Sequence, residues 1–378
     1  MTMLRLTPIL AVLLLAGTSA VAQMSLTPPG VQPPATDKPK PLERPAEKPK
    51  PAEKTAEKPP VPPAAAAKKP APPPAAAGKP AGPSQPSPPA TATATPPPND
   101  PNVDLVYGAY QRGQYKTAFD LATAKAQTGD PKAMAMLGQL YENAMGVKRD
   151  FDKAAAWYKR AADAGDRESM FALAMMRLAG RGGPADRQEA VKLLASAAKL
   201  GEPKAAYNLA LLYLDGQTLP QDLKRSAELL QMAADGGNPE AQYALATFYK
   251  EGTGVPKDPQ KAAQLLQAAA LAENVDAEVE YAIALYNGTG TAKNLPAAVA
   301  LLRKAAKQNS PIAQNRLAWV LFYGSATPAD KVEAYKWHLV AKTAGKGDIQ
   351  LDEKFADLSP EDRAKGELLA KRWLGTVK

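Results

Sequence analysis

Residues 237–272 read GNPEAQYALATFYKEGTGVPKDPQKAAQLLQAAALA, and this stretch decides the fold. Asn238-Pro239 is a helix start: Asn can accept from a free amide of the first turn, and Pro at the first helical position gives up a donor that would have no partner. A first helix is expected from about Glu240 to Tyr249, with Ala241, Leu245, Phe248 and Tyr249 recurring at three- and four-residue steps on one face. Gly252-Thr253-Gly254 ends it, because glycine accepts the left-handed conformation that closes a helix. Asp258-Pro259 repeats the start signal, and a second helix follows to about Ala270.

The unit returns along the chain. Gly129, Gly165, Gly201, Gly237, Glu273, Asn309 and Gly345 share one position of a 36-residue period, and Asp150, Asp186, Asp222, Asp258, Asn294 and Asp330 share another. Two independent positions on one beat mean a solenoid built from a copied helix pair. Four residues after the Asp stand Ala154, Ala190, Ser226, Ala262, Ala298 and Ala334; seven after it stand Trp157, Leu193, Leu229, Leu265, Leu301 and Trp337. Small residues let helices approach while large ones fill the next layer. The paired alanines Ala161-Ala162, Ala197-Ala198, Ala233-Ala234, Ala269-Ala270 and Ala305-Ala306 extend the rule. The fold class is all-α, an αα-hairpin solenoid wound as a right-handed superhelix, with the first helix of each copy on the concave side. Two copies depart from the pattern. The one from Glu273 reads as having a first helix two residues longer, and the one from Gly165 has Arg177 where others have Tyr141, Tyr213 and Tyr249.

The string Ala241-Gln242-Tyr243-Ala244-Leu245-Ala246, then Tyr249, Gly252-Thr253-Gly254-Val255, Asp258 and Lys261-Ala262-Ala263, resembles the Sel1-like repeat, a relative of the tetratricopeptide repeat. Ala155-Ala156-Trp157-Tyr158-Lys159-Arg160-Ala161-Ala162 in the first copy and Ala334-Tyr335-Lys336-Trp337 in the last carry the same likeness, which covers residues 129–344 as six copies. The resemblance implies a binding scaffold. Some exported relatives are cysteine-rich and linked with penicillin binding, a likeness that a chain without Cys does not share. Others are periplasmic partners of sensor kinases controlling exopolysaccharide and motility, which implies a regulatory partner in the envelope.

Outward from the array, residues 102–128 read as a leading helix pair, Val103 to Gln111 and Gln114 to Gln127. Residues 345–378 read as a capping region, in which Ser359-Pro360-Glu361-Asp362 starts a helix to about Trp373 and Arg363, Lys365, Glu367 and Lys371 form a polar outer face. Residues 23–101 form an arm that holds 26 of the 38 prolines within 28–101. It has too few apolar side chains to offset its ordering entropy, so a disordered spacer is expected. Its contour as polyproline II would reach about 230 Å. The other reading is contact of residues 28–101 with peptidoglycan or anionic envelope polymers, although Glu43, Glu47, Glu53 and Glu57 neutralise the lysines of its first half. Met1 to Ala22 reads as an export signal: Arg5, an apolar run from Leu6 to Ala16, and Ala20-Val21-Ala22 before Gln23. The run is shorter than the roughly 20 residues a membrane span needs, so cleavage to a periplasmic or secreted protein is expected. An uncleaved anchor is the alternative.

The net charge of +9 divides as +1 before residue 28, +4 in residues 28–101 and +4 in the remainder. That is a mixed surface and not the basic stripe that nucleic acid requires. One His and no Cys exclude a multi-His or thiolate metal site, and no Ser/His/Asp arrangement has a choice of partners. His338 occupies the eighth place after Asp330, where other copies put Tyr158, Leu194, Leu230, Leu266 and Leu302, and reads as a packing substitute. No catalytic residue, cofactor or metal site is expected. The expected activity is binding of a protein or peptide partner, through first-helix residues off the packing face: Gln139, Arg177, Asn208, Gln242, Thr247, Asn315, Arg316 and Trp319, the last of which reads equally as core in the apolar run Leu317 to Phe322.

Overall fold

A computed structural model describes residues 104–376 apart from residue 326. The export signal and the Pro-rich arm lie outside the described residues. Sixteen α-helices and no strand are found among those described. A leading pair, α1 (Leu105–Gln111) and α2 (Tyr115–Gln127), precedes six copies of one unit. The first helices of the copies are α3 (Pro131–Asn143), α5 (Arg167–Ala179), α7 (Pro203–Asp215), α9 (Pro239–Glu251), α11 (Val275–Asn287) and α13 (Pro311–Tyr323). The second helices are α4 (Phe151–Asp163), α6 (Arg187–Lys199), α8 (Leu223–Asp235), α10 (Pro259–Leu271), α12 (Leu295–Lys307) and α14 (Lys331–Thr343). Two further helices, α15 (Ile349–Ala356) and α16 (Pro360–Trp373), follow. Each helix packs on the next in sequence through α14, which is the contact pattern of an αα-hairpin solenoid.

The two periodic series have physical causes. Each Asp or Asn of the second series caps its helix, as Asp222 accepts from Arg225 N at 2.8 Å and Asn294 from Ala297 N at 3.1 Å. Its own amide donates back to the first helix, Asp258 N to Tyr249 O at 2.8 Å and Asp186 N to Arg177 O at 3.0 Å. Cap and back-bond together fix the loop length. The first series holds the left-handed residue between copies, with φ from 74° to 91° at the glycines and 63° at both Glu273 and Asn309. A third glycine matters for stacking: at Gly290 a Cβ would collide with the carbonyl of Pro259, so the loop of one copy lies directly on the second helix of the copy before it.

The core runs along the whole array. The small position four after the Asp is buried in every copy, from Ala154 and Ser226 to Ala334. The eighth place is buried in all six copies, from Tyr158 and Leu194 to His338, whereas the seventh is buried only at Leu229 and Trp337 and half-buried at Trp157, Leu193, Leu265 and Leu301. A hundred degrees of helical turn separates neighbouring positions, so one residue's error in phase moves a side chain from core to flank. The first helix of the copy from Glu273 is not longer than its neighbours. It has the same 13 residues, capped by Asn274 and closed by left-handed Gly288. What differs is that Tyr281 and Leu285 exchange the places held by Leu245 and Tyr249 one copy earlier.

Beyond the sixth copy the register slips by two residues, because Asp348 rather than Lys346 caps the next helix. His338 ties that helix down. It is fully buried, its Nε2 lies 2.7 Å from Asp352 Oδ1, and its ring packs on Phe355 at 5.4 Å. Lys342 and His338 together hold the Asp352 carboxyl below the ordinary carboxylate range. The outer face of α16 is less polar than expected. Lys365 and Lys371 are exposed, but so in part are Leu368, Leu369, Trp373 and Leu374, and Arg363 is spent donating to the Phe355 and Ala356 carbonyls at 3.0 Å.

Candidate functional site

α1 and the first helices α3, α5 and α7 line a groove of about 880 Å³. The 36-residue stagger brings equivalent positions of successive copies side by side, so a residue type at one position becomes a row along the wall. The floor is apolar and half-buried, with Met136, Phe171 and Ala172. Tyr107, 52% exposed, stands on the α1 side with its ring stacked 6.5 Å from Tyr110. Three exposed charges mark the rim, Lys132, Glu168 and Lys204, and none makes an ion pair among the described residues. Arg167, between them, is used by the fold: it donates to the Leu200 and Gly201 carbonyls at 3.1 and 3.2 Å and lies 3.7 Å from buried Glu202.

Tyr158 also reaches the groove from α4, buried, with its hydroxyl donating to Glu142 at 3.0 Å. Burial, followed by the negative charge of Glu142, pushes that hydroxyl far above its ordinary range, so it remains neutral. The groove thus offers apolar contact, a rim of both signs and neutral donors. Among the described residues no group of three His, Asp or Glu side chains could hold a metal ion. Length over several helices and shallow polarity suit an extended chain segment better than a small molecule.

Of the eight expected contact residues the structure brings only Gln139 to this groove, and its Nε2 donates to the Tyr110 hydroxyl at 2.9 Å. Arg177 turns to its own repeat, donating from Nε to Glu189 Oε2 at 2.8 Å and from Nη1 to Gly182 O at 3.2 Å. Asn208 donates to Lys204 O at 2.8 Å, Gln242 to Ala234 O at 3.2 Å and Thr247 to Tyr243 O at 3.2 Å. Asn315 lies 3.4 Å from Asp348 Oδ2. Arg316 is half-buried without an ion pair among the described residues. Trp319 takes the second of its two readings. It is 7% exposed, stacks on Tyr323 at 5.7 Å and donates from Nε1 to Asp348 Oδ2 at 2.7 Å, so it belongs to the core beneath the terminal cap.

Phe171 of the groove, which sequence reasoning missed, belongs to a row that carries a signal. Phe171, Tyr207 and Tyr243 all stand five places after their helix cap, and all are half-buried. Reading positions across copies, rather than polarity within one helix, would have found that row.

An array of helix pairs with a groove along its first helices defines the class of αα-repeat scaffolds. Six consecutive segments, residues 131–166, 167–202, 203–238, 239–274, 275–310 and 311–346, match the Sel1 repeat, and the chain belongs to that family. Sel1 repeat proteins are generally non-catalytic scaffolds for protein–protein interaction. Two solved structures are similar over much of the chain. One is c5321, a protective antigen of uropathogenic Escherichia coli strains displaying an SLR fold: it is 27% identical, with a TM-score of 0.63 over 72% of this chain and 59% of that one. The other is a Sel1 repeat protein from Oxalobacter formigenes, 28% identical, with a TM-score of 0.57 over 64% of this chain and 100% of that one. The chain therefore spans little more than half the length of the first of these relatives. No curated protein matches it. No helix among the described residues is long and apolar enough to cross a membrane.

Proposed function

We propose that this chain is an exported, non-catalytic adaptor that holds an extended segment of a partner protein along the first helices of its repeats, with the groove over α3, α5 and α7 as the principal seat. The carrying observation is the groove's composition: an apolar floor at Met136 and Phe171 that the fold leaves open, beside rim charges Lys132, Glu168 and Lys204 that the fold leaves unpaired. Apolar contact supplies affinity, and unpaired rim charges set register and orientation. The export signal at residues 1–22 supports a periplasmic or secreted site of action, and the resemblance to periplasmic partners of sensor kinases supports a regulatory role in envelope signalling or exopolysaccharide control.

Site-specific photo-crosslinking in the cell tests this. A crosslinking side chain placed at Met136 or Phe171 should give a discrete protein adduct, and one placed at Lys159 or Arg225 on second helices should not. Adducts from the second helices alone, or only from residues 28–101, would overturn the reading and favour contact with envelope polymer.

A further inference from the structure

The inner surface continues past the groove across α7, α9 and α11, and its chemistry changes. Tyr207 and Tyr243 prolong the row begun by Phe171. Neither hydroxyl has a hydrogen-bond partner among the described residues. Burial and then nearby Glu240 push the Tyr207 hydroxyl up to about 12, and burial with Glu280, Asp276 and Glu251 pushes Tyr243 higher still. Both hydroxyls are therefore neutral, and both rings are half-buried against the core.

Beside Tyr243, α11 carries Asp276 and Glu280 one helical turn apart. Glu280 pairs with Lys250 Nζ at 2.8 Å. Asp276 has no ion pair or hydrogen bond among the described residues, and burial together with the charge of Glu280 raises its carboxyl above the ordinary value. The helix dipole favours an acid near a first turn, yet it does not demand one there: the other copies place Lys132, Glu168, Lys204, Glu240 and Ile312 at that position. One turn on they place Met136, Ala172, Asn208, Ala244 and Arg316, so only α11 sets two acids on one inner stripe. Like charges four apart weaken a helix. Glu280 is shared with Lys250 whereas Asp276 has no partner, and with Glu240 and Glu251 near the same two rings the local charge is negative although the whole chain is net positive.

We propose that Tyr207, Tyr243, Asp276 and Glu280 form a docking surface for a basic segment of the partner protein, with a lysine or arginine side chain lying on the Tyr243 ring and its charge at Asp276. Charge complementarity argues for this occupant: a cation over an aromatic face and against an unpaired carboxylate gains from both, whereas a phosphate-bearing or acidic ligand would be repelled. The inference rests on the adaptor reading and names the chemistry of its partner.

The probe is fluorescein-labelled decalysine, titrated by anisotropy into the full chain at low salt, with labelled decaglutamate as control. Saturable decalysine binding is expected, weakened at least tenfold by Asp276→Asn with Glu280→Gln, at least threefold by Asp276→Asn alone and by Tyr243→Leu, and unchanged by Asp235→Asn on α8. Asp276 is exposed and makes no ion pair or hydrogen bond among the described residues, so Asp276→Asn should leave the fold intact by circular dichroism, and its weaker binding would report a lost contact. Absence of saturable binding, or equal affinity in parent and double variant, overturns the proposal. Persistence of adducts from Met136 and Phe171 in that case would leave the adaptor reading standing with a partner that is not basic.

Discussion

Gly138 stands on α3 where the other copies place Ala174, Ala210, Ala246, Ala282 and Ala318. The side chain facing it is also exceptional, Tyr158 where other second helices place Leu194, Leu230, Leu266 and Leu302. A Cβ added at Gly138 would lie 2.7 Å from Tyr158 Cδ1 and Cε1 and 3.0 Å from Cγ. The ring has little room to retreat, being 6% exposed and anchored through its hydroxyl to Glu142. Overpacking of this kind costs about 1–3 kcal/mol, offset by about 1 kcal/mol because Ala is the better helix former. Gly138→Ala should therefore destabilise by about 1 kcal/mol, or roughly 2 °C in melting temperature for an array of this size. Tyr158→Leu alone should also destabilise, by leaving a void beside Gly138 and Glu142 without its donor. The double variant restores the Ala/Leu arrangement of the other copies and should be more stable than the sum of the two changes by at least about 1 kcal/mol, a coupling measurable by a double-mutant cycle in guanidinium unfolding. A stabilised Gly138→Ala variant, with effects that simply add, would refute the argument that missing methyl and added ring are one paired adjustment.

Glu273 holds the left-handed place between copies at φ 63°, where five of the seven equivalent positions have glycine. Glu273→Gly should stabilise by about 0.5–1 kcal/mol, the left-handed strain relieved minus the entropy glycine adds to the unfolded chain, as read by thermal melting. Asp352 supplies a pH signature. Its carboxyl is held below the ordinary value of 3.8 by Lys342 and His338, so its stabilisation is present above about pH 4 and lost as pH falls through the folded value. Asp352→Asn should thus lower the melting temperature at pH 7, with the difference closing toward pH 2; a difference independent of pH would contradict it. The photo-crosslinking pattern and the decalysine titration test the groove and the acidic stretch beyond it.

The helix pair of each copy, its pairing and its caps were legible in the sequence because each rests on local chemistry. Asn238-Pro239, Asp258-Pro259 and the left-handed glycines fix φ and cap amides without help from distant residues. The loop carrying Thr289 and Gly290 kept its length in every copy because the backbone bond from Asn294 N to Leu285 O leaves no freedom. What was not legible depends on neighbours in space. Helix α15 has only eight residues, too few to show a periodic face, and its place is set by Asp348 and by His338 reaching Asp352. Trp319 stands on the concave stripe by sequence position, yet the slip of register after Gly345 brings Asp348 over its indole and buries it.

These cases separate two kinds of departure from a repeat. Arg177 is answered by Glu189, buried Glu278 by Lys304 Nζ at 2.6 Å, His338 by Asp352 and Trp319 by Asp348, each partner lying on a neighbouring helix or its cap. A polar side chain placed in the interior must be paired there or the array loses stability, so a departure with a partner inside the chain is consumed by folding. Asp276, Lys132, Glu168 and Lys204 have no such partner and line the inner surface instead, where water is their alternative. Copies descended from one unit drift freely at solvated positions, so an unpaired charge alone carries little. Asp276 differs in its surroundings, because it lies near Glu280 and the partly exposed Tyr243 ring, and only Glu280 of the two acids has a cation of its own, Lys250. The proposed basic segment would supply to Asp276 the partner that Lys250 supplies to Glu280.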